Sequence, residues 1–241
     1  MKRLLTRLLP GFIHRPLKRS MEYHSAWMSQ AGQDVFVFGE CFNGMRNGFF
    51  LDIGAHDGVF LSNTFLLEKR FGWTGLCVEA NPETFEALKQ NRTAKCCNEC
   101  LDSREGVVQF ACRSVMGGIV ASDTENADSN DGKVVEVQTK SLEALLKEQN
   151  APSTIDYLSI DIEGAEDRVL LDFDFDLYIF RCLTIERPSA ALRERLRRAE
   201  YVLVRDIPGL DCFYVHESIR QDYLQNVYRF YTKKYVAWRW S

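Results

Sequence analysis

The chain has 241 residues, enough for one domain with a large core. Hydrophobic residues make up 46% and charged residues 27%, which excludes a disordered or collagen-like polymer. The net charge of −4 gives no reason to expect nucleic acid as substrate, and no apolar run nears the roughly 20 residues that span a bilayer.

Residues 1–20 carry six Lys or Arg and no acid. Leu4, Leu5, Leu8, Leu9, Phe12 and Ile13 can form one helical face, which Pro10-Gly11 should kink. Such a basic amphipathic segment can make weak contact with anionic lipid. The plainer reading is an arm packed on the domain or frayed from it. Thr6 and Arg7 interrupt the leucine pairs, so no secretory signal is expected.

The first strand is predicted at 49–53, inside the run GFFLDIGAHDG (48–58). A helix over 62–70 and a strand over 75–79 follow, the latter ending on Glu79. Asn81 as cap and Pro82 at the first position start a helix over 82–91. A strand at 94–98 comes next. In a doubly wound sheet the strands at 49–53 and 75–79 deliver their carboxyl ends to one crevice. The turn there lets backbone approach a ligand, and Glu79 can accept hydrogen bonds from two ribose hydroxyls. A dinucleotide site wants G-x-G-x-x-G. Here the spacing is Asp52, Gly54, His56, Gly58, and Asp52 stands where the first glycine belongs. A carboxylate there repels a pyrophosphate but suits a cofactor with an ammonium and a sulfonium, S-adenosylmethionine. The plainer reading is a strand and turn with glycines for tight packing.

Further strands are predicted at 107–111 and 134–138, with the acidic, polar segment Ser122 to Lys133 between them as a loop or lid. A helix at 141–148 and a strand at 156–161 lead into IDYLSIDIEGAE (155–166). Unpaired buried charge costs too much for Asp161, Glu163 and Glu166 to be core residues. They are either a solvated start to the helix at 165–171, or Asp161 and Glu163 flank the methionine part of a cofactor and its methyl group. A strand at 180–186, a helix at 189–199 and strands at 201–206 and 211–215, split by Pro208-Gly209, complete the pattern. The alternation predicts an α/β fold with a mostly parallel sheet and helices on both faces. The aromatics of Val227 to Trp240 are expected to cover the core or a subunit contact. Cys97-x-x-Cys100 lacks a second metal-ligand pair, so most of the eight cysteines read as small core residues in a reducing compartment.

The segments SQAGQD (29–34), 48–92, Gly117-Gly118-Ile119 and IDYLSIDIEGAE resemble the FkbM family of S-adenosylmethionine-dependent methyltransferases. Leu61-Ser62-Asn63-Thr64, Leu67-Glu68-Lys69 and Gly72-Trp73 around the glycine turn are its most specific part. The likeness covers most of 29–216. It implies a Rossmann-like class I methyltransferase fold with a seven-stranded sheet, and methyl transfer, usually to a hydroxyl oxygen. It also implies contact of Asp102 with the adenine edge. Two positions depart from the pattern. Ala80 follows Glu79 where proline is common, and Arg187-Pro188 follows Glu186 where His or Asn is common.

The expected organisation is a basic arm (1–28), a methyltransferase domain (29–216) and an aromatic, basic extension packed on it (217–241). The cofactor-binding residues are expected to be Asp52, Gly54, Ala55, His56, Gly58, Asn63, Glu79, Ala80, Asn81, Asp102, Asp161 and Glu163. His56 and Asp161 are the candidate general bases for direct displacement, with His216 a more distant one. Asp161, Glu163 and Glu186 offer hard oxygen ligands, but their spacing does not demand a metal and none is assigned. The acceptor is a small molecule or glycan, and the location is cytoplasmic, at the inner face of a membrane if the arm binds lipid. The competing readings are an NAD(P)-dependent oxidoreductase and a catalytically silent module of the same fold.

Overall fold

A computed structural model describes residues 28–113, 116–127 and 133–232. The basic arm before Met28, part of the 122–133 loop and the aromatic stretch beyond Thr232 lie outside the described residues. Eleven strands occur among the described residues: β1 (Phe49–Ile53), β2 (Thr74–Val78), β3 (Lys95–Cys97), β4 (Cys100–Leu101), β5 (Gly106–Cys112), β6 (Gly118–Ile119), β7 (Lys133–Lys140), β8 (Thr154–Ile160), β9 (Ile179–Glu186), β10 (Tyr201–Asp206) and β11 (Asp211–His216). The helices are α1 (Gln33–Val35), continued as a π-helical turn at Phe36–Cys41, α2 (Phe65–Phe71), α3 (Pro82–Asn91), α4 (Leu142–Glu148), α5 (Glu166–Leu170), α6 (Ala190–Arg198) and α7 (Arg220–Thr232).

Seven strands form the main sheet in the order β10-β11-β9-β8-β1-β2-β3. The five strands from β9 to β3 run parallel, and β11 lies antiparallel between β9 and β10. A central parallel strand is covered on both faces, so it reads as a continuous apolar run. In β1, Leu51 and Ile53 enter one core with residues of α4, α5 and α6. Phe50 enters the other, with the π-helical turn, α2, Trp73 and Phe213. This is the seven-stranded Rossmann-like arrangement that the alternation and the resemblance predicted.

Local chemistry sets the helix starts. Asn81 accepts from Glu83 N (3.0 Å) and Pro82 follows it. Ser141 and Ser189 cap α4 and α6 in the same way. The helix predicted over 62–70 begins three residues later than expected, at Phe65. Leu61 takes a left-handed φ of 54°, and Ser62 Oγ accepts from the N–H groups of Thr64 and Phe65, so the turn must finish first.

Two predicted strands, 107–111 and 134–138, stand outside the main sheet. As β5 and β7 they pair antiparallel in a second sheet, ordered β4-β7-β5-β6. Their sequences alternate exposed and half-buried positions, which is the pattern of a sheet with one wet face. The helix α7 was not read from the sequence. It docks on the π-helical turn, where Asn226 Nδ2 donates to Cys41 O (2.9 Å) and the Tyr231 hydroxyl donates to Glu40 (2.6 Å). No described helix is long and apolar enough to cross a membrane.

Candidate functional site

The carboxyl ends of β1, β2 and β8 open on one cleft, whose empty space, open solvent included, is about 590 Å³. After β1 the chain turns at Gly54, whose φ is +83°. A Cβ there would sit 1.8 Å from Asp161 O, so only glycine lets the turn lie against the end of β8. The N–H groups of Gly54 and Ala55 both donate to Val78 O at 3.0 Å, fastening the turn to β2.

Glu79 stands at the end of β2. Its Oε2 accepts from His56 N (2.8 Å) and its Oε1 from Asn81 N (2.7 Å). Burial raises its acid despite those donors. Each carboxylate oxygen has two lone pairs, so one on each remains for a ligand. The second sheet contributes Cys100, Leu101, Phe110, Gly118 and Ile119 to the lining, beside Ile53, Val78 and Ile162. Of the residues expected to bind cofactor, Gly54, His56, Glu79, Ala80, Asn81, Asp161 and Glu163 line this cleft. Glu99, Cys100, Leu101 and Phe110 were missed. The first three follow β3 directly, and that position was the available signal.

Five expected residues stand off the cleft. Ala55 is buried under the turn, and Gly58 packs against Leu88 and Arg92. Asn63 Nδ2 donates to Ser159 Oγ (2.9 Å) beneath the floor. Asp52 points to the opposite face of β1 from Ile53, where Thr64 Oγ1 donates to it and Arg92 Nη1 lies 3.8 Å away. Asp102 is displaced because β4 carries the chain into the second sheet. It receives Arg168 Nε and Nη2 at 3.0 and 2.6 Å. Burial would raise the Asp102 acid, but Arg168 and the Ser103 N–H overcome it and hold it low.

The network under the turn is centred on Arg92, whose side chain is sealed from solvent. It donates to Glu68 (2.6 Å), Thr64 Oγ1 (2.9 Å) and Gly58 O (3.3 Å). Burial alone would raise the Glu68 acid. Hydrogen bonds from Lys69, Thr93 N and Arg92 reverse this and bring it down to about 2 from 4.5. A depressed folded value stabilises above the unfolded value and is lost as pH falls toward the folded one. The Glu68→Gln variant is therefore expected to be less stable than the wild type by roughly 3 kcal/mol at neutral pH. That gap should narrow below pH 4.5 and close near pH 2. Urea unfolding of both proteins at pH 7 and pH 3 checks this, and an unchanged gap contradicts it.

Acids crowd the other end of the cleft. Asp161 N donates to Ile53 O (3.1 Å), which places its side chain at the mouth of β8. Burial first, then the Glu186 carboxylate beside it, push Asp161 well above the usual range. Burial and Glu186 also raise Glu163, to about 7. Burial lifts Glu166 to about 8 although its Oε1 accepts from Ile162 N at 2.8 Å. His56 takes a left-handed φ of 50°, and its ring nitrogens accept no hydrogen bond. His216 caps the 3-10 turn at Glu217–Ile219 through Ser218. The Cys97 and Cys100 thiols are buried, and burial pushes them up to about 11 and about 12.

A model of the methyltransferase FkbM domain matches residues 52–203. The chain belongs to that family. The match runs from the end of β1 into β10, so it spans the cofactor turn, Glu79 and the acid cluster. No curated protein matches the chain. A solved structure similar to it is the TehB-like SAM-dependent methyltransferase from Corynebacterium glutamicum ATCC 13032. The two share 11% identity over 85% of this chain and 96% of that one, with a TM-score of 0.42.

Proposed function

We propose that this methyltransferase binds S-adenosylmethionine and methylates a hydroxyl oxygen of a saccharide, glycolipid or secondary metabolite by direct displacement. The observation that carries the cofactor reading is Glu79. Its two oxygens are held by backbone N–H groups beside the glycine turn, on a side chain that lines the cleft, and each oxygen has a second lone pair. That is an acceptor pair suited to the two adjacent hydroxyls of a ribose. The Gly54 to His56 turn, Ala80 and Asn81 would hold the same nucleoside. The apolar wall of Cys100, Leu101, Phe110 and Ile119 suits its base. When bound, S-adenosylmethionine supplies a methyl group already activated by its sulfonium charge.

The chain's own residues have two tasks. The cleft must orient the acceptor oxygen, and good alignment can contribute about 7–11 kcal/mol. A neutral hydroxyl must also lose its proton, for which a positioned base gives roughly 10²–10⁴ in rate. His56 and Asp161 both line the cleft and are the groups placed to accept it. The test is calorimetric titration of the purified protein with S-adenosylhomocysteine, with NAD⁺ as control. We expect saturable binding of the first alone. Binding of NAD⁺ alone would establish the oxidoreductase reading instead, and binding of neither would favour a silent module.

A further inference from the structure

Two thiols lie side by side beneath the cofactor turn. In the parallel pairing of β2 with β3, Cys77 stands directly opposite Cys96. Both pack on the same face of the sheet, in the core that holds Phe50 and Trp73. Neighbouring strands lie about 4.8 Å apart. A disulfide joins residues whose Cα atoms are about 4.4–6.8 Å apart, so this register falls inside its range. Both cysteines are free thiols.

Their surroundings differ, and the difference assigns them roles. Cys77 is fully buried. Cys96 is only half-buried, on the edge strand of the main sheet, where a small oxidant can reach it. The Cys77 thiol beside it, helped by the Arg92 charge, overcomes burial and brings Cys96 down to about 7 from 9.0. The thiolate is the nucleophilic form, so Cys96 is the sulfur prepared to react. The Cys96 thiol in turn, and burial after it, hold Cys77 well above the usual range. Cys77 therefore keeps its proton until Cys96 has been oxidised. Cys41 and Cys182 are a second pair of neighbouring thiols, but they are sealed in the core at 2% and 0% exposure. Access and thiolate character, rather than proximity alone, mark out Cys96.

We propose that Cys96 and Cys77 form a reversible disulfide, with Cys96 the sulfur that a peroxide oxidises and Cys77 the one that resolves it. First, the Cys96 sulfur attacks one peroxide oxygen. The O–O bond breaks, and the departing hydroxide takes the Cys96 proton and leaves as water. Cys96 is then a sulfenic acid. Next, the Cys77 sulfur attacks Cys96 Sγ. The S–S bond forms, the S–O bond breaks, and the second hydroxide leaves as water with the Cys77 proton. Two thiols thus lose two electrons and two protons, and hydrogen peroxide becomes two waters. An external dithiol reverses the change and is itself oxidised.

A consequence for the cleft rests on the S-adenosylmethionine reading. The Cβ atoms of a disulfide lie about 3.8 Å apart, closer than strands at this spacing hold them, so β2 and β3 must draw together. Such strain makes the bond easily reduced. One residue further on, Val78 O holds the Gly54 and Ala55 N–H groups, and Glu79 N donates to Cys97 O (3.0 Å). The displacement therefore reaches the Glu79 carboxylate.

The disulfide is tested without the cofactor. Reduced full-length protein is treated with a small excess of hydrogen peroxide and blocked with N-ethylmaleimide in denaturant. It is then digested and read by fragmentation mass spectrometry. We expect a Cys77–Cys96 crosslink that dithiothreitol reverses, with Cys41 and Cys182 still reduced. Cys96→Ser should abolish it, and Cys77→Ala should leave Cys96 as sulfenic or sulfinic acid. A folded wild type that gives no crosslink overturns the pair, and so does a crosslink made through Cys97 or Cys100 instead. Calorimetry with S-adenosylhomocysteine then compares the two forms, and oxidation should weaken binding at least about fivefold. Equal affinity overturns the coupling to the cleft. No binding to the reduced protein refutes the cofactor reading and leaves the disulfide standing.

Discussion

Replacing Glu79 by alanine is expected to weaken binding of S-adenosylhomocysteine by about 100-fold. Two hydrogen bonds to an ionised acceptor are at stake, each contributing about 1.5–3 kcal/mol. Replacement water recovers part of that, and a net loss near 3 kcal/mol corresponds to two decades in affinity. The fold should survive. Glu79 stands at a cleft wall, and its loss frees only the N–H groups of His56 and Asn81, which water can reach through the cleft. Burial already disfavours its charge, so removing the carboxylate also removes a desolvation cost. Circular dichroism and a thermal melt would establish integrity, and calorimetry the affinity. Glu79→Gln should fall between the two proteins, because an amide offers one acceptor oxygen where the carboxylate offers two. Unchanged affinity in a folded Glu79→Ala protein would move the ribose elsewhere.

Replacing Arg92 by methionine should have the largest effect on stability, about 3–5 kcal/mol. Its guanidinium is fully enclosed, stacked 5.3 Å from the centre of the Phe50 ring, and shared by Glu68, Thr64 and Gly58. Methionine fills much of the space but leaves Asp52 as a buried acid without its counter-charge and Glu68 with Lys69 alone. For a chain of this size the loss corresponds to a fall of about 10 °C or more in the thermal midpoint. The double variant Glu68→Gln, Arg92→Met should recover part of it, since one of the stranded charges is gone. Urea unfolding of the wild type, both single variants and the double variant measures the coupling. A single-variant loss below about 1 kcal/mol would mean that the network contributes little net stability.

The same network explains what could be read from the sequence and what could not. Apolar runs identified the central parallel strands β1, β2 and β8, because a strand covered on both faces leaves few positions for polar side chains. Asn81-Pro82 located α3 to the residue. Side-chain direction was less legible. Asp52 and Glu79 both sit at the ends of parallel strands, yet Asp52 faces Arg92, which lies forty positions along the chain in sequence and shows no motif beside it. Asp102 was drawn toward Arg168 in the same way. The second sheet was hidden by its ordinary strand propensity, since pairing partners are not written into β5 or β7. Glu186 was legible as an oxygen donor, but Glu125, on a polar loop, gave no sign that Arg187 would join it to the cluster.

The strand order also bears on how the chain reaches this state. Phe49 N donates to Asp156, 107 positions away, at the start of the β1–β8 pairing. The whole second sheet and α4 lie between these partners. Contacts so remote must wait for a long loop to close, which slows folding relative to a chain with local pairings. Until then the Phe49–Ile53 run offers one open backbone edge and two apolar faces. During synthesis β1 would emerge long before β8 is available to cover it. This protein should therefore depend on chaperones more than its size suggests, with the Phe49–Ile53 segment as the region they shield.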